Sequence, residues 1–171
     1  MRDPQAPAWR AAGGVAAIYI INRHGSLIYN QDFQAVPREG NKPLSSNDKI
    51  RLASTFIGCS TVAAQLSPAA PPRSGGAGRA FGFLQPTGIL TLDADTFRLQ
   101  CFHTATGMKL FAVVLPPLVD CNALLREVYG LYSDYVLKNP FYELDMPVRI
   151  DVFDKEVKRV VMELNVQQSI K

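Results

Sequence analysis

Residues 129 to 149, YGLYSDYVLKNPFYELDMPVR, set the architecture of the chain's second half. Tyr129, Tyr132 and Tyr135 recur every three residues, a spacing that lines them along one side of a helix. Asn139-Pro140 ends that helix, because proline has no amide proton and pushes the residue before it out of the helical region. The stretch therefore predicts a helix end, a hard stop, a short aromatic loop and entry to a further helix. Phe141 and Tyr142 are expected to fold back from the loop onto the body.

Before it, residues 120 to 138 predict a helix with Leu124, Leu125, Val128, Leu131, Tyr132 and Tyr135 on one face. After it, Ile150, Phe153, Val157, Val160 and Leu164 fall at 3, 4, 3, 4 spacing with Val161 beside them, a single apolar stripe on a last helix. Toward the N-terminus the period changes. Val15 to Asn22 is a continuous β-type run, Arg23 to Ser26 a turn with Gly25 suited to positive φ, and Ser26 to Gln31 the return strand. A polar connector at 33 to 44 leads to a helix start, where Ser45 as N-cap faces Asp48 three residues on. That helix should end near Leu66, before Pro68. Three strands follow, at Gly88 to Leu92, Phe97 to His103 and Met108 to Leu115, the last ended by Pro116-Pro117. The order is ββαβββαα. It predicts an α+β fold with a five-stranded antiparallel sheet, one helix on one face and two on the other.

At 171 residues the chain fits one domain, and 47% hydrophobic residues suffice for its core. Residues 1 to 14 read as a disordered lead, 15 to 166 as a single domain, and 68 to 86 as a flexible Pro/Gly-rich loop within it. There is no run of about 18 apolar residues to span a membrane. The N-terminus, with two prolines and no long apolar stretch, does not read as a secretory signal. Cys59, Cys101 and Cys121 are odd in number, lack CxxC spacing and sit in apolar patterns, as buried free thiols of a reducing compartment do. The net charge of +3 is dispersed, with no basic cluster for nucleic acid.

Catalytic and metal chemistry have no foothold in the pattern. His24 lies in a turn and His103 at a strand end, neither with Cys, Asp or Glu at ligand spacing. SGGAG at 74 to 78 lacks the GK[ST] ending of a phosphate loop. Asp93 and Asp95 lie in a strand-to-strand turn, where acidic residues are ordinary. No catalytic residue, cofactor site or metal site is assigned. The first helix carries the one functional signal. Ile50, Ala53, Ile57, Thr61 and Ala64 form one stripe; Leu52, Phe56, Cys59, Ala63 and Leu66 form another, nearly opposite. A helix apolar all round needs cover all round. The second stripe lies either under the 68 to 86 loop or against another protein, and the second reading is preferred: Leu52, Phe56, Cys59, Ala63 and Leu66 are the expected partner interface.

Four blocks resemble the synbindin family, longin-type subunits of the TRAPP vesicle-tethering complex: AIYIINRHGSLIY (17 to 29), LSSNDKIRLASTFIGCSTVAAQLSP (44 to 68), DTFRLQCFHTATGMKLF (95 to 111) and ALLREVYGLYSDYVLKNPFYELDMPVR (123 to 149). Sedlin, a paralogous longin subunit, has a very similar NPFY loop; the strand block and the QLSP helix end favour synbindin. The PDZ-like insert of some synbindins is missing between the hairpin and the first helix, so no function of that insert carries over. The resemblance implies the longin, or SNARE-like, fold. It also implies a non-catalytic subunit with longin-type and Bet-type TRAPP partners. The assembly would act as a guanine-nucleotide exchange factor for a Rab-type GTPase in ER-to-Golgi traffic, cytoplasmic and peripheral at ER and cis-Golgi membranes. A free-standing longin domain binding SNARE or sorting partners is the alternative; an enzyme would need a convergent pocket that the sequence does not suggest.

Overall fold

The computed structural model describes residues 13 to 34, 44 to 66, 88 to 116 and 120 to 169. Residues 1 to 12 of the expected 1 to 14 lead and the loop at 68 to 86 lie outside the described residues, as do 35 to 43 and 117 to 119. The elements run β1 (Gly14–Ile21), β2 (Leu27–Asp32), α1 (Ser46–Leu66), β3 (Thr91–Asp93), β4 (Arg98–His103), β5 (Lys109–Leu115), α2 (Asn122–Leu131), a π-helical segment (Tyr132–Leu137) and α3 (Asp151–Ser169). All strand pairs are antiparallel, in the order β2-β1-β5-β4-β3. The predicted ββαβββαα order and the sheet are thus the observed ones. β1 begins at Gly14, inside the expected lead, and the third strand is shorter and later than Gly88 to Leu92.

Two apolar layers flank the sheet. Alternation sends Ile18, Ile20, Leu110, Ala112 and Val114 to one face, under Leu124, Leu125 and Val128 of α2 and Phe153, Val157, Val160 and Val161 of α3. Tyr19, Ile21, Leu99, Cys101, Phe111 and Val113 go to the other face, under Ala53 and Phe56 of α1. A bulge in the β1–β5 register between Val15 and Ala17 puts Ala16 and Ala17 consecutively on the α1 side. Each layer has an aromatic spine. On the α1 side Phe111 stacks between Tyr19 (4.8 Å) and Phe56 (4.7 Å). On the other, Phe153 lies edge-on to Tyr29 (4.9 Å) and Tyr132 (6.3 Å).

Polar groups fix the ends of the elements. Ser45 Oγ accepts the amide of Asp48 (3.2 Å), and Ser45's own amide donates back to the Asp48 carboxylate (3.3 Å), the predicted cap of α1. Lys49, one residue later, pairs with Asp32 (2.6 Å) and ties the helix start to the end of β2. The buried Gln100 accepts the Cys121 amide (2.8 Å), and its side-chain amide donates to Asp120, locking the entry to α2. The Asn122 amide also donates to Asp120, and with Gln100 it holds that carboxyl below its usual range. At the far end of α3, Asn165 accepts the Val15 amide (2.9 Å) and donates to its carbonyl (3.2 Å), clamping the helix onto β1.

The second half departs from expectation at two places. α2 opens into a π-helical turn, so Leu124, Val128, Tyr132 and Val136 recur every four residues and all are buried. Val136 therefore takes the place expected for Tyr135, which is left exposed. Phe141 does not fold back; it is 94% exposed. Asn139 accepts the amides of Phe141 through its side chain (3.0 Å) and of Tyr142 through its carbonyl (3.1 Å), a tight turn with Phe141 at its outer corner. Tyr142 does turn inward. Its hydroxyl donates to the Met146 carbonyl (2.7 Å) and its ring packs on the α2–α3 core. The Val148 amide then donates to the Ile28 carbonyl (2.8 Å), covering part of the β2 edge.

Candidate functional site: the outer face of the first helix

α1 meets the sheet along Ala53, Phe56 and Ser60, a 3, 4 spacing that runs between the two stripes read from the sequence. Phe56 is the correction this imposes. It is 4% exposed, stacked on Phe111, and belongs to the core of its own chain rather than to a partner surface. Of the first stripe, Ala53 is buried and Ile57 and Ala64 are half-buried, while Ile50 and Thr61 are exposed. Of the other expected interface residues, Leu52 and Ala63 lie half-buried on the flank, while Cys59 and Leu66 are exposed, Leu66 at 78%. The structure therefore does not bring the five together on one face. The physical reason is that one large aromatic dominates the fit of a helix to a flat sheet. Burying Phe56 rotates α1 about midway between the two apolar stripes.

Part of the flank is covered from within the chain. The Ile89 amide donates to the buried Ser60 hydroxyl (3.4 Å), and Ile89 and Leu92 pack on the α1-side core. Gly88, at φ +114°, permits this crossing. A Cβ there would collide with Ser60 Oγ and lie 2.9 Å from the Ser60 carbonyl oxygen.

The face left open bears Ser54, Thr55, Gly58, Cys59, Thr61, Val62, Gln65 and Leu66, with Ile50 and the charged Arg51 at its start. From Leu52 to Leu66 the helix has no charged side chain. Solvent-facing helix surfaces are ordinarily charged. Val62 and Gly58 belong to this face, and the search for apolar stripes missed them. The missing charge after Arg51 was the signal available for finding them.

The remaining chemistry-bearing groups are built into the fold. Burial pushes the Cys101 and Cys121 thiols up to about 12, which keeps them protonated and unreactive; Cys59 is exposed, contrary to the expectation of three buried thiols. Burial, with Asp154 nearby, also raises the Tyr29 hydroxyl. His24 lies in the exposed β1–β2 turn, 3.6 Å from Asp145. Among the described residues no three His, Cys, Asp or Glu side chains converge to hold a metal ion, and no helix is long and apolar enough to cross a membrane.

His103 supplies a pH prediction. Its Nε2 donates to the Ile89 carbonyl (2.9 Å), while burial and then Lys109 hold its pKa below the ordinary imidazole value of 6.5. The unfolded chain thus binds a proton more readily than the folded one. The contribution of neutral His103 is complete above about 6.5 and is lost as pH falls through that value toward the folded pKa. Urea midpoints at pH 7.5 and 5.5 should fall more for the native chain than for His103→Gln; equal falls would refute the assignment.

The sequence profile of the Sybindin-like family matches residues 15–164. The chain belongs to the Sybindin-like family. The sedlin-type alternative is not favoured. A Dictyostelium discoideum protein called trafficking protein particle complex subunit 4 is 40% identical over 148 residues, covering 86% of this chain and 96% of that protein. The Homo sapiens protein of that title is 40% identical over 121 residues, 71% of this chain. The chain spans about half (49%) of the length of that human relative. Trafficking protein particle complex subunit 1 of Dictyostelium is more distant, 23% identical over 137 residues, covering 80% of this chain and 86% of that protein. For a member of the Sybindin-like family, the longin-like α+β architecture is the one expected.

Proposed function

We propose that this chain is a non-catalytic subunit of a TRAPP-type trafficking particle and meets its neighbours through the outer face of α1. The observation that carries the reading is 40% identity, across 96% of its length, to a protein titled as a subunit of that particle. Neighbours would be other longin-type and Bet-type subunits. The assembly would promote nucleotide release from a Rab-type GTPase, peripherally at ER and cis-Golgi membranes. Exchange needs a surface that holds the GTPase more tightly without nucleotide than with it, and a surface shared among subunits can make more such contacts than one small domain.

Gly58 supports the choice of face. It sits exposed in mid-helix, where glycine costs roughly 1 kcal/mol relative to alanine. Among the described residues a Cβ there would meet nothing within 4 Å, so no contact with them demands glycine. Close approach of a partner backbone would. Cys59, Val62 and Leu66 flank it with uncharged surface; Leu52 and Ala63 border the same contact.

The test is affinity capture of the tagged chain co-expressed with longin-type and Bet-type subunits. Val62→Asp and Gly58→Leu should each reduce recovery of partners on the order of tenfold without unfolding the isolated chain. Gly58→Ala should stabilise the isolated chain by about 0.5–1 kcal/mol. Full recovery with both Val62→Asp and Gly58→Leu would exclude this face. Capture of the native chain alone would overturn the subunit reading and favour a free-standing longin domain.

A separate expectation concerns exchange. Release of a fluorescent guanine nucleotide should be accelerated by the co-expressed assembly and not by the chain alone. Full activity from the lone chain would refute the non-catalytic role. Inactivity of the whole assembly across early-secretory Rab proteins would end the exchange-factor reading.

A further inference from the structure

We draw no further inference here: the strongest candidate, the exposed apolar patch of Phe141, Leu144 and Met146 on the loop beside the β1–β2 turn, carries no proposal because nothing in the structure shows what covers it.

Discussion

Phe56→Asp is expected to unfold the isolated chain. The side chain lies between α1 and the sheet at 4% exposure, with its ring 4.7 Å from that of Phe111. Removing a buried phenylalanine costs about 3–5 kcal/mol through lost transfer energy and the cavity left behind. A carboxylate in its place would lie against the apolar side chains of the α1-side core, Ala53, Leu99, Cys101, Phe111 and Val113 among them. It must either be desolvated unpaired or take up a proton, adding several kcal/mol. The sum matches the whole stability of a typical domain, about 5–15 kcal/mol. Leu66→Asp, on the same helix but 78% exposed, should change stability by less than about 0.5 kcal/mol. Circular dichroism melts of the two variants separate the cases. A cooperative, near-native melt for Phe56→Asp would mean that α1 is rotated from the position described, and would return Phe56 to the outer surface.

Phe153→Ala should cost about 3–5 kcal/mol, the second-largest effect expected. Phe153 is fully buried at the first turn of α3, and its ring meets Tyr29 of β2 and Tyr132 of the π-helical segment. It thus joins three elements that come from separate parts of the chain. Tyr29 is also held by the hydrogen bond from its hydroxyl to the Gln31 side chain (2.5 Å), so its collapse into the vacated space is restricted. For a chain of this size each kcal/mol shifts the melting temperature by about 2–4 °C, giving an expected fall of about 6–20 °C. Met162→Ala, at an exposed position of the same helix, is the control and should shift it little. A fall under about 3 °C for Phe153→Ala would show that α3 is not seated on the sheet through this residue.

The order of elements was readable from local pattern. Runs such as VAAIYIIN (15 to 22) and MKLFAVVL (108 to 115), short, apolar and rich in β-branched and aromatic residues, read as strands buried on both faces. The 3, 4 spacing from Ile150 to Leu164 fits only a one-sided helix, and Ser45 with Asp48 marks a helix start. These signals are set by neighbours within a few residues, where steric and hydrogen-bonding rules are the same in any fold. The family resemblance lay in the same contiguous blocks.

Which way each helix faces could not be read in this way. α1 is apolar on several sides, so its rotation was settled by the stack of Tyr19, Phe111 and Phe56, residues from three elements up to 92 positions apart in sequence. The same holds for Tyr135, displaced from the buried face when α2 widened into a π-turn, and for Phe141, turned outward by the Asn139 hydrogen bonds. The uncharged outer face of α1 combines both levels. Its composition was present in the sequence from Leu52 to Leu66, but its exposure followed only once Phe56 had committed the opposite side to the sheet. Local pattern fixes which residues can be buried. Long-range packing of the largest side chains decides which of them are, because only the folded chain brings together the surfaces that compete for them.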